Sequence, residues 1–290
     1  IQKLWNMNKK ILFISDYFVN QISGGGELND WELINILKNS GNEVECLNSD
    51  KVSVEDILRF SSSGYRFVVS NFINLSPACI RALSKNEKYA IYEHDHKYLK
   101  TRNPMLYPNF QAPSDQIINH EFYKNAKAVF CQSSFHKNII KKNLEIDNIV
   151  SLSGNLWSQD HLKILKEMCD VEKSDSYAVI DYKIPHKNTY EAIRYCNANR
   201  IKYDLIPPTA PNTFLRKMGK NKTLVFFPKS PETLSRIVVE ARMMGMSTKT
   251  TQNIGAVHED WFSKKGTDLI DIMQKKRSEI PALVLKNLYG

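Results

Sequence analysis

The sequence has 290 residues, of which 42% are hydrophobic and 24% are charged, and its formal net charge is +9. These values are ordinary for a globular protein, and the length allows one large domain or two modest ones. They argue against membrane-spanning helices, because no apolar run approaches the roughly 20 residues that such a helix needs. The positive charge favours anionic partners such as nucleotide diphosphates, acidic membranes or nucleic acid.

The cysteines and the first residues bear on the cellular compartment. The number of cysteines is odd, their spacings are wide and no C-x-x-C pair occurs, so the pattern suggests neither a disulfide framework nor a zinc site. The opening residues show no signal-peptide pattern, and Met7, followed by Asn8-Lys9-Lys10, is the expected natural start. We therefore expect a cytoplasmic protein and leave peripheral contact with the inner membrane surface open.

Strand and helix signals alternate along the first half. An apolar run over residues 10–15 predicts a buried strand, a loop over 16–26 follows, and helical spacing of apolar residues predicts a helix over 28–40. A strand over 43–47 completes a βαβ opening. Further strands are predicted over residues 67–69, 89–92, 128–131 and 149–151.

A second cycle begins after a predicted helix over residues 159–169. Its strands are predicted over residues 177–181, 203–206, 224–227 and 247–251. Its helices are predicted over residues 188–199, 213–218 and 234–244. Such alternation argues for parallel sheets covered by helices on both faces. The predicted fold is therefore α/β, with two Rossmann-like domains facing a cleft.

The predicted boundary between the domains is a linker around residues 152–159, which contain Gly and Asn. The first domain is predicted to comprise residues 7–155, with a C-terminal helix over 272–290 packing back on it. The second domain is predicted to comprise residues 156–271.

The most informative stretch covers residues 226–240, FFPKSPETLSRIVVE. A strand-like run ends at Pro228, a polar turn follows, and a helix-like run opens between Glu232 and Glu240. A helix N-terminus offers unpaired N–H groups and a positive dipole end to a diphosphate. The two carboxylates could accept hydrogen bonds from sugar and ribose hydroxyls. The alternative is a pair of solvated helix charges.

Two motifs follow predicted strands of the first half. The segment 23–27, SGGGE, could bring backbone amides close to an anion or a substrate, and a flexible turn is the alternative. The segment 92–96, YEHDH, follows a strand at the end that faces the ligand crevice. There His94, Asp95 and His96 could form hydrogen bonds or move a proton. Metal ligation would need ligands that no spacing here supplies, and a purely structural role is the other alternative.

Two further motifs follow strands of the second half. The segment 183–187, KIPHK, places lysines at a turn between a strand and a helix, where a lysine can neutralise a departing diphosphate. Surface lysines without a ligand are the alternative. The segment 253–259, NIGAVHE, comes after the next strand and adds Glu259 to the candidate polar residues.

Taken in order, these motifs resemble the GT-B glycosyltransferases, the large retaining group of the group-1 or family-4 type that uses nucleotide-sugar donors. The resemblance covers nearly the whole chain. SGGGELNDWELINILKNSGNEV resembles the family's GG-x-E loop, helix and strand, EHD resembles its HD, and AKAVFCQSSFHKNII resembles its next strand and helix. PETLSRIVVEARMMGM resembles the Glu-x7-Glu signature, and NIGAVHE resembles the x-x-G-G-x-x-E that follows.

The resemblance implies a role for each matched residue. The implied catalytic residues are His94, Asp95 and Glu232. Glu232 would contact the donor sugar, His94 would lie near the sugar, and the EHD segment would end a strand that faces the acceptor side. The implied donor-binding residues are Gly25, Gly26, Lys183, Lys187, Thr233, Leu234, Ser235 and Glu240. Among these, Lys187 would pair with the phosphates and Glu240 would hold the ribose. The nucleotide sugar, with UDP or GDP as the carrier, would be a co-substrate, and neither a cofactor nor a tightly held metal is implied.

The chain departs from the family in three ways. The family usually has Gly-Phe-Gly where this chain has Thr233-Leu234-Ser235. Tyr182 aligns with the arginine that usually accompanies the lysine, and Lys183 could substitute for that arginine one place on. The chain is also short for the family, mainly in its second half.

The sequence leaves other functions and several acceptors open. A nucleotide-sugar 2-epimerase that uses His94, Asp95 and Glu259 would have the same architecture, as would a non-catalytic protein that binds a sugar nucleotide or a glycan. The acceptor could be a glycan, a lipid, a protein or modified DNA. The aromatic and basic segment 98–107, YLKTRNPMLY, could meet an anionic acceptor.

Overall fold

The computed structural model describes residues 8–86 and 88–290, so the expected start at Met7 lies outside the described residues. The chain divides into two compact units. The first unit comprises the described residues up to Leu156 together with Lys276–Gly290, and the second comprises Trp157–Lys275. Each unit is built around one parallel sheet.

The sheet of the first unit has six strands in the order β2-β1-β3-β4-β5-β6, and all its pairs are parallel. These strands are β1 (Lys10–Ser15), β2 (Glu43–Asn48), β3 (Arg66–Val69), β4 (Tyr89–Tyr92), β5 (Val129–Cys131) and β6 (Ile149–Ser151). Five of the six residues of β1 and all four of β4 are buried. A parallel strand that is covered on both faces reads as a continuous apolar run, which is why the sequence located these strands.

Helices cover the sheet of the first unit. They are α1 (Gly25–Asn39), α2 (Val54–Ser62), α3 (Pro77–Asn86), α4 (His120–Lys124) and α5 (Ser134–Leu144). The C-terminal helix of the chain also packs in this unit, since Ile280, Val284, Leu285 and Leu288 share an apolar cluster with residues of β1.

The sheet of the second unit has four parallel strands in the order β10-β9-β7-β8. These strands are β7 (Ser174–Ile180), β8 (Tyr203–Ile206), β9 (Asn221–Val225) and β10 (Ser247–Lys249). The remaining α-helices of the described residues are α6 (Gln159–Cys169), α7 (Thr189–Ala198), α8 (Pro211–Met218), α9 (Arg236–Met243) and α10 (Thr267–Tyr289). The predicted α/β fold with alternating strands and helices is therefore confirmed.

Several predicted helix starts are shifted in the structure, and two of the shifts bear on candidate residues. Helix α1 begins at Gly25, so Gly25 and Gly26 belong to its first turn and not to the preceding loop. Glycine is tolerated there because the first amides of a helix lack intrahelical partners in any case. Helix α9 begins at Arg236 and not at residue 234, because Ser235 has a positive φ of 75° that a helix cannot continue through.

Candidate functional site

The second unit has a topological switch point between β7 and β9. Strand β7 pairs with β8 on one side and with β9 on the other, so the connections after β7 and β9 leave the sheet in opposite directions. In open α/β sheets a ligand crevice forms at the carboxyl ends of such strands. The segment that carries Lys187 follows β7, and the segment that carries Glu232 follows β9.

Lys187 and Glu232 meet at this switch point. The Lys187 Nζ lies 2.7 Å from Glu232 Oε1, and both side chains are only partly exposed. The Lys187 ammonium also lies within 6 Å of the ring centroids of Tyr182 and Phe226, at 5.7 and 5.8 Å. A partly desolvated cation beside a carboxylate at the end of a strand is suited to binding a phosphate and a sugar hydroxyl.

Backbone hydrogen bonds fix the segments that carry these two residues. Glu232 forms an isolated parallel bridge with Ile254, in which its N–H donates to the Asn253 carbonyl and its carbonyl accepts from Gly255, each at 2.8 Å. The Lys229 N–H donates to the His186 carbonyl at 2.7 Å and ties the two loops together. The motif NIGAVHE therefore acts through its backbone, as a support for Glu232.

Ser235 takes the backbone conformation that precedes α9. Its φ of 75° and ψ of 86° lie where L side chains are strained, and its hydroxyl makes no capping hydrogen bond. The glycine that the resembled family usually carries here would adopt this conformation without strain. Within the described part of the chain the buried Ser235 Oγ has no hydrogen-bond partner. The serine thus keeps the geometry of the turn at a conformational cost.

Glu240 lies within α9 and is held by one hydrogen bond and one ion pair. The Trp157 indole N–H donates to Glu240 Oε1 at 2.9 Å, and the Arg236 Nε lies 3.7 Å from the same oxygen. The Arg236 guanidinium lies over the Trp157 ring, 4.5 Å from its centroid. Glu240 is therefore not a solvated helix charge, because its side chain is only 12% exposed.

Tyr182 and Lys183, the two residues compared with the arginine of the resembled family, have different surroundings. Lys183 is 83% exposed on its side chain and pairs with Asp181 at 2.8 Å, not with Glu232. Tyr182 packs against Phe226. Burial raises the pKa of the Tyr182 phenol, and the charges of Glu232 and Glu240 raise it further, so the protonated phenol is favoured.

His94 is the centre of a second cluster, in the first unit. Its Nε2 lies 2.6 Å from Asp30 Oδ1, and the Ser70 hydroxyl donates to Asp30 Oδ2 at 2.6 Å. A Cβ at Gly26 would lie 3.4 Å from the His94 ring, so the glycine allows helix α1 to approach the ring closely. The structure therefore brings Gly26 and His94 close together.

Asp30 controls the charge of His94. Burial opposes protonation of the imidazole, but the charge of Asp30 and the hydrogen bond to it outweigh burial, and the pKa of His94 is raised. A histidine with a raised folded pKa contributes stability below its unfolded pKa, and that contribution is lost as the pH rises through the folded value. Protonated His94 is thus favoured in the folded chain.

Replacing Asp30 by Asn should lower the pKa of His94, because the amide keeps the shape of the carboxylate and removes its charge. The measurement is a pH titration of the His94 ring protons by NMR. The exposed Asp50→Asn variant, in the same unit, is the control and should leave the titration where it is. An unchanged His94 pKa in Asp30→Asn would show that the Asp30 charge does not set it.

The Asp95 carboxylate bonds to a different set of residues from the His94–Asp30 pair. Its carboxylate accepts from the Lys97 Nζ at 2.8 Å and from the Arg102 guanidinium. Burial favours the neutral acid, but the charges of Lys97 and Arg102 outweigh it and hold the pKa of Asp95 well below its usual range. A carboxylate with two cationic partners is a poor proton acceptor, so this geometry favours a structural role for Asp95.

Burial favours the neutral form of two histidines, His96 at the end of the motif and His136. His136 donates through Nε2 to the Asp95 carbonyl at 2.8 Å and accepts at Nδ1 from the Gln132 N–H at 3.3 Å, which assigns its tautomer. Burial lowers the pKa of His136 well below its ordinary value. Burial also lowers the pKa of His96 to about 4, and its Nδ1 lies 2.9 Å from the Tyr98 hydroxyl.

The segment 98–107, which was considered for contact with an anionic acceptor, exposes fewer of its side chains than its composition suggested. Tyr98 is fully buried, so its ring cannot stack on a ligand. Lys100 is exposed, and the Arg102 side chain is about half exposed while it holds Asp95. The basic side chains of the segment can therefore meet an anionic acceptor, whereas Tyr98 cannot.

Two searches of the described residues bear on metals and membranes. Among residues 8–86 and 88–290, no group of three or more His, Cys, Asp or Glu side chains could hold a metal ion. Over the same residues, no helix combines the length and the hydropathy that crossing a membrane requires. All five cysteines lie in the described residues, and none of them forms a disulfide.

The sequence matches no family model and no curated protein. Solved structures nevertheless share its fold over nearly the whole chain. The Anabaena protein HepE, in complex with UDP and glucose, has a TM-score of 0.53 at 12% identity and covers 97% of this chain and 94% of its own. Sucrose-phosphate synthase from Thermosynechococcus elongatus has a TM-score of 0.58 at 9% identity, covering 97% and 92%.

A third structure is an alpha-glucosyltransferase in complex with UDP and a 13-mer DNA that contains an HMU base. It has a TM-score of 0.50 at 12% identity and covers 98% of this chain and 95% of its own. These likenesses confirm the predicted GT-B fold of two Rossmann-like domains. At identities of 9–12% they concern the fold alone.

Sequence reasoning missed three residues that hold candidate side chains in place, Asp30 and Lys97 in the first unit and Trp157 in the second. The sequence pattern assigns Asp30 to a helix and Trp157 to a linker, and it gives no sign of a role for Lys97. A weak signal existed for Trp157, since a tryptophan is rarely left in a solvated linker. Asp30 and His94 are 64 positions apart, so no local pattern could have paired them.

Proposed function

We propose that this chain is a glycosyltransferase that moves a sugar from a nucleoside-diphosphate sugar to an acceptor hydroxyl, with retention at the anomeric carbon. The observation that carries the proposal is the pairing of Lys187 with Glu232 at the switch point between β7 and β9. A cation, a sugar-binding carboxylate and the N-terminus of α9 follow one another there. These are the groups that a diphosphate sugar requires.

Lys187 and the N-terminus of α9 supply positive charge where the leaving diphosphate becomes negative. Such pre-arranged charge stabilises the transition state more than the ground state, which is how a site without covalent chemistry accelerates transfer. Glu232 would hold the transferred sugar, and Glu240 the ribose. Retention is taken from the resemblance to the retaining GT-B group.

The donor carrier we propose is UDP. Both HepE and the alpha-glucosyltransferase are described in complex with UDP. His94, whose protonated form is favoured beside Asp30, would act as a hydrogen-bond donor and not as a base.

A melting-temperature screen across nucleoside diphosphates and their sugars tests the proposal. A ligand that binds only the folded chain stabilises it by about 2.7 kcal/mol at roughly 100 times its Kd. UDP and a UDP-sugar should therefore raise the melting temperature by several degrees. If no nucleotide raises it, the proposed function is wrong.

Incubation with the selected UDP-sugar then separates the functions that share this fold. Slow release of the free sugar, or transfer to an added acceptor, supports a glycosyltransferase. Conversion of the donor sugar into its epimer would support the epimerase alternative. Binding with neither outcome would support a non-catalytic nucleotide-sugar-binding protein.

A further inference from the structure

Glu240 is held by one of its two carboxylate oxygens. Trp157 Nε1 donates to Oε1 at 2.9 Å, and the Arg236 Nε approaches the same oxygen at 3.7 Å. Among the described residues no hydrogen bond is made to Oε2 of Glu240, and this atom is not among the fully buried polar atoms that lack a partner. One oxygen is therefore fixed by the protein, and the other can accept from a ligand.

The residues that fix Glu240 are themselves well held. Trp157 is 1% exposed and belongs to the apolar core of the second unit. Arg236 is the first residue of α9, its side chain is 10% exposed, and its guanidinium stacks on the Trp157 ring. A cation over an indole keeps both groups in one orientation. The carboxylate of Glu240 thus has a rigid support on one side.

We propose that Trp157 and Arg236 are positioning residues that aim Glu240 Oε2 at the donor's ribose, and that they set the selectivity for ribose over 2′-deoxyribose. This proposal rests on the proposed function, because it requires a nucleotide to bind in the second unit. A carboxylate oxygen with a fixed direction gains a hydrogen bond from a 2′-hydroxyl and loses it with a 2′-deoxy ligand. A carboxylate that is free to rotate would accept a hydrogen bond from water with either ligand and would not distinguish them.

The test compares the Kd of UDP with that of 2′-deoxy-UDP by calorimetry. Loss of a hydrogen bond to a charged group costs affinity about tenfold to a hundredfold. The unmodified chain should therefore bind UDP at least about tenfold more tightly than 2′-deoxy-UDP. In Trp157→Phe the ratio of the two Kd values should fall to about twofold, because phenylalanine keeps the ring and removes the donor.

Trp261→Phe is the matched control, since Trp261 is a second tryptophan of the same core and makes no hydrogen bond to Glu240. Its ratio of Kd values should equal that of the unmodified chain. If Trp157→Phe fails to fold, Arg236→Gln replaces it, with Arg242→Gln on the same helix as its control. Arg242 bonds the carbonyls of Ser263 and Lys264 and not Glu240.

The outcomes separate this proposal from the proposed function. If the unmodified chain binds no nucleotide in the melting screen or by calorimetry, the proposed function is wrong and this inference with it. If it binds UDP but does not distinguish 2′-deoxy-UDP, the function stands and the ribose role of Glu240 is wrong. If Trp157→Phe weakens both ligands equally and keeps the ratio, Trp157 is a structural residue and the inference is overturned.

Discussion

Lys187→Ala should lower kcat for release or transfer of the donor sugar by about 10²–10³-fold, which is the typical cost of removing one group that stabilises transition-state charge. The Lys187 Nζ is the cation that pairs with Glu232 at the end of β7, 2.7 Å away. Its loss leaves a carboxylate without its cation beside the leaving diphosphate. The measurement is steady-state turnover with the donor that the melting screen selects.

Lys222→Ala is the matched control for this prediction. Lys222 lies at the opposite end of β9 and pairs with the exposed Asp175, so its removal should leave turnover within about twofold, as for a surface ion pair. Lys183→Ala tests whether Lys183 replaces the missing arginine. We expect a smaller loss than for Lys187, since Lys183 is exposed and held by Asp181. Undiminished turnover in Lys187→Ala would contradict the role of Lys187.

The sequence predicted the sheets well because buried parallel strands appear in it as continuous apolar runs. Strands β1, β4, β6 and β8 have the bounds that their apolar runs indicated. The chain order of motifs also located Lys187 and Glu232 on segments that follow strands, and parallel topology then brings such segments to one edge. The geometry of a βαβ unit imposes this arrangement.

The residues that hold the candidate side chains in place could not be predicted, because their roles depend on contacts between segments that are distant in the sequence. Asp30 is a helix residue whose role appears only when β3 and β4 lie beside α1 and bring Ser70 and His94 to it. Trp157 was assigned to a linker, yet it donates to Glu240, 83 positions away. The left-handed conformation of Ser235 was also hidden, because serine gives no signal for a positive φ where glycine would.

Lys97→Met should destabilise the first unit by about 3–5 kcal/mol, because removing one partner of a buried ion pair leaves the other uncompensated. The Lys97 side chain is 2% exposed and donates to Glu93, which is fully buried, and to Asp95. Tyr123 also donates to Glu93. No second cation reaches Glu93 in this arrangement among the described residues, so the methionine leaves its charge unpaired.

The pH dependence of this loss has a defined sign. Burial raises the pKa of Glu93, the Asp95 charge adds to the rise, and Lys97 opposes both. Without Lys97 the folded chain favours the protonated acid more strongly, so the folded state binds more protons than the unfolded state at this group. Stability then falls as the pH rises. Lys97→Met should therefore be less destabilised at about pH 5 than at about pH 8.

Urea unfolding at the two pH values measures the effect, with Arg102→Met as the control. Arg102 also pairs with Asp95, but its side chain is 49% exposed, so its loss should cost only about 0.2–1 kcal/mol. The contrast separates a buried charge from a solvated one on the same carboxylate. Equal losses in the two variants would mean that Lys97 is not buried in solution. A loss in Lys97→Met that does not grow with pH would mean that Glu93 is not the group left unpaired.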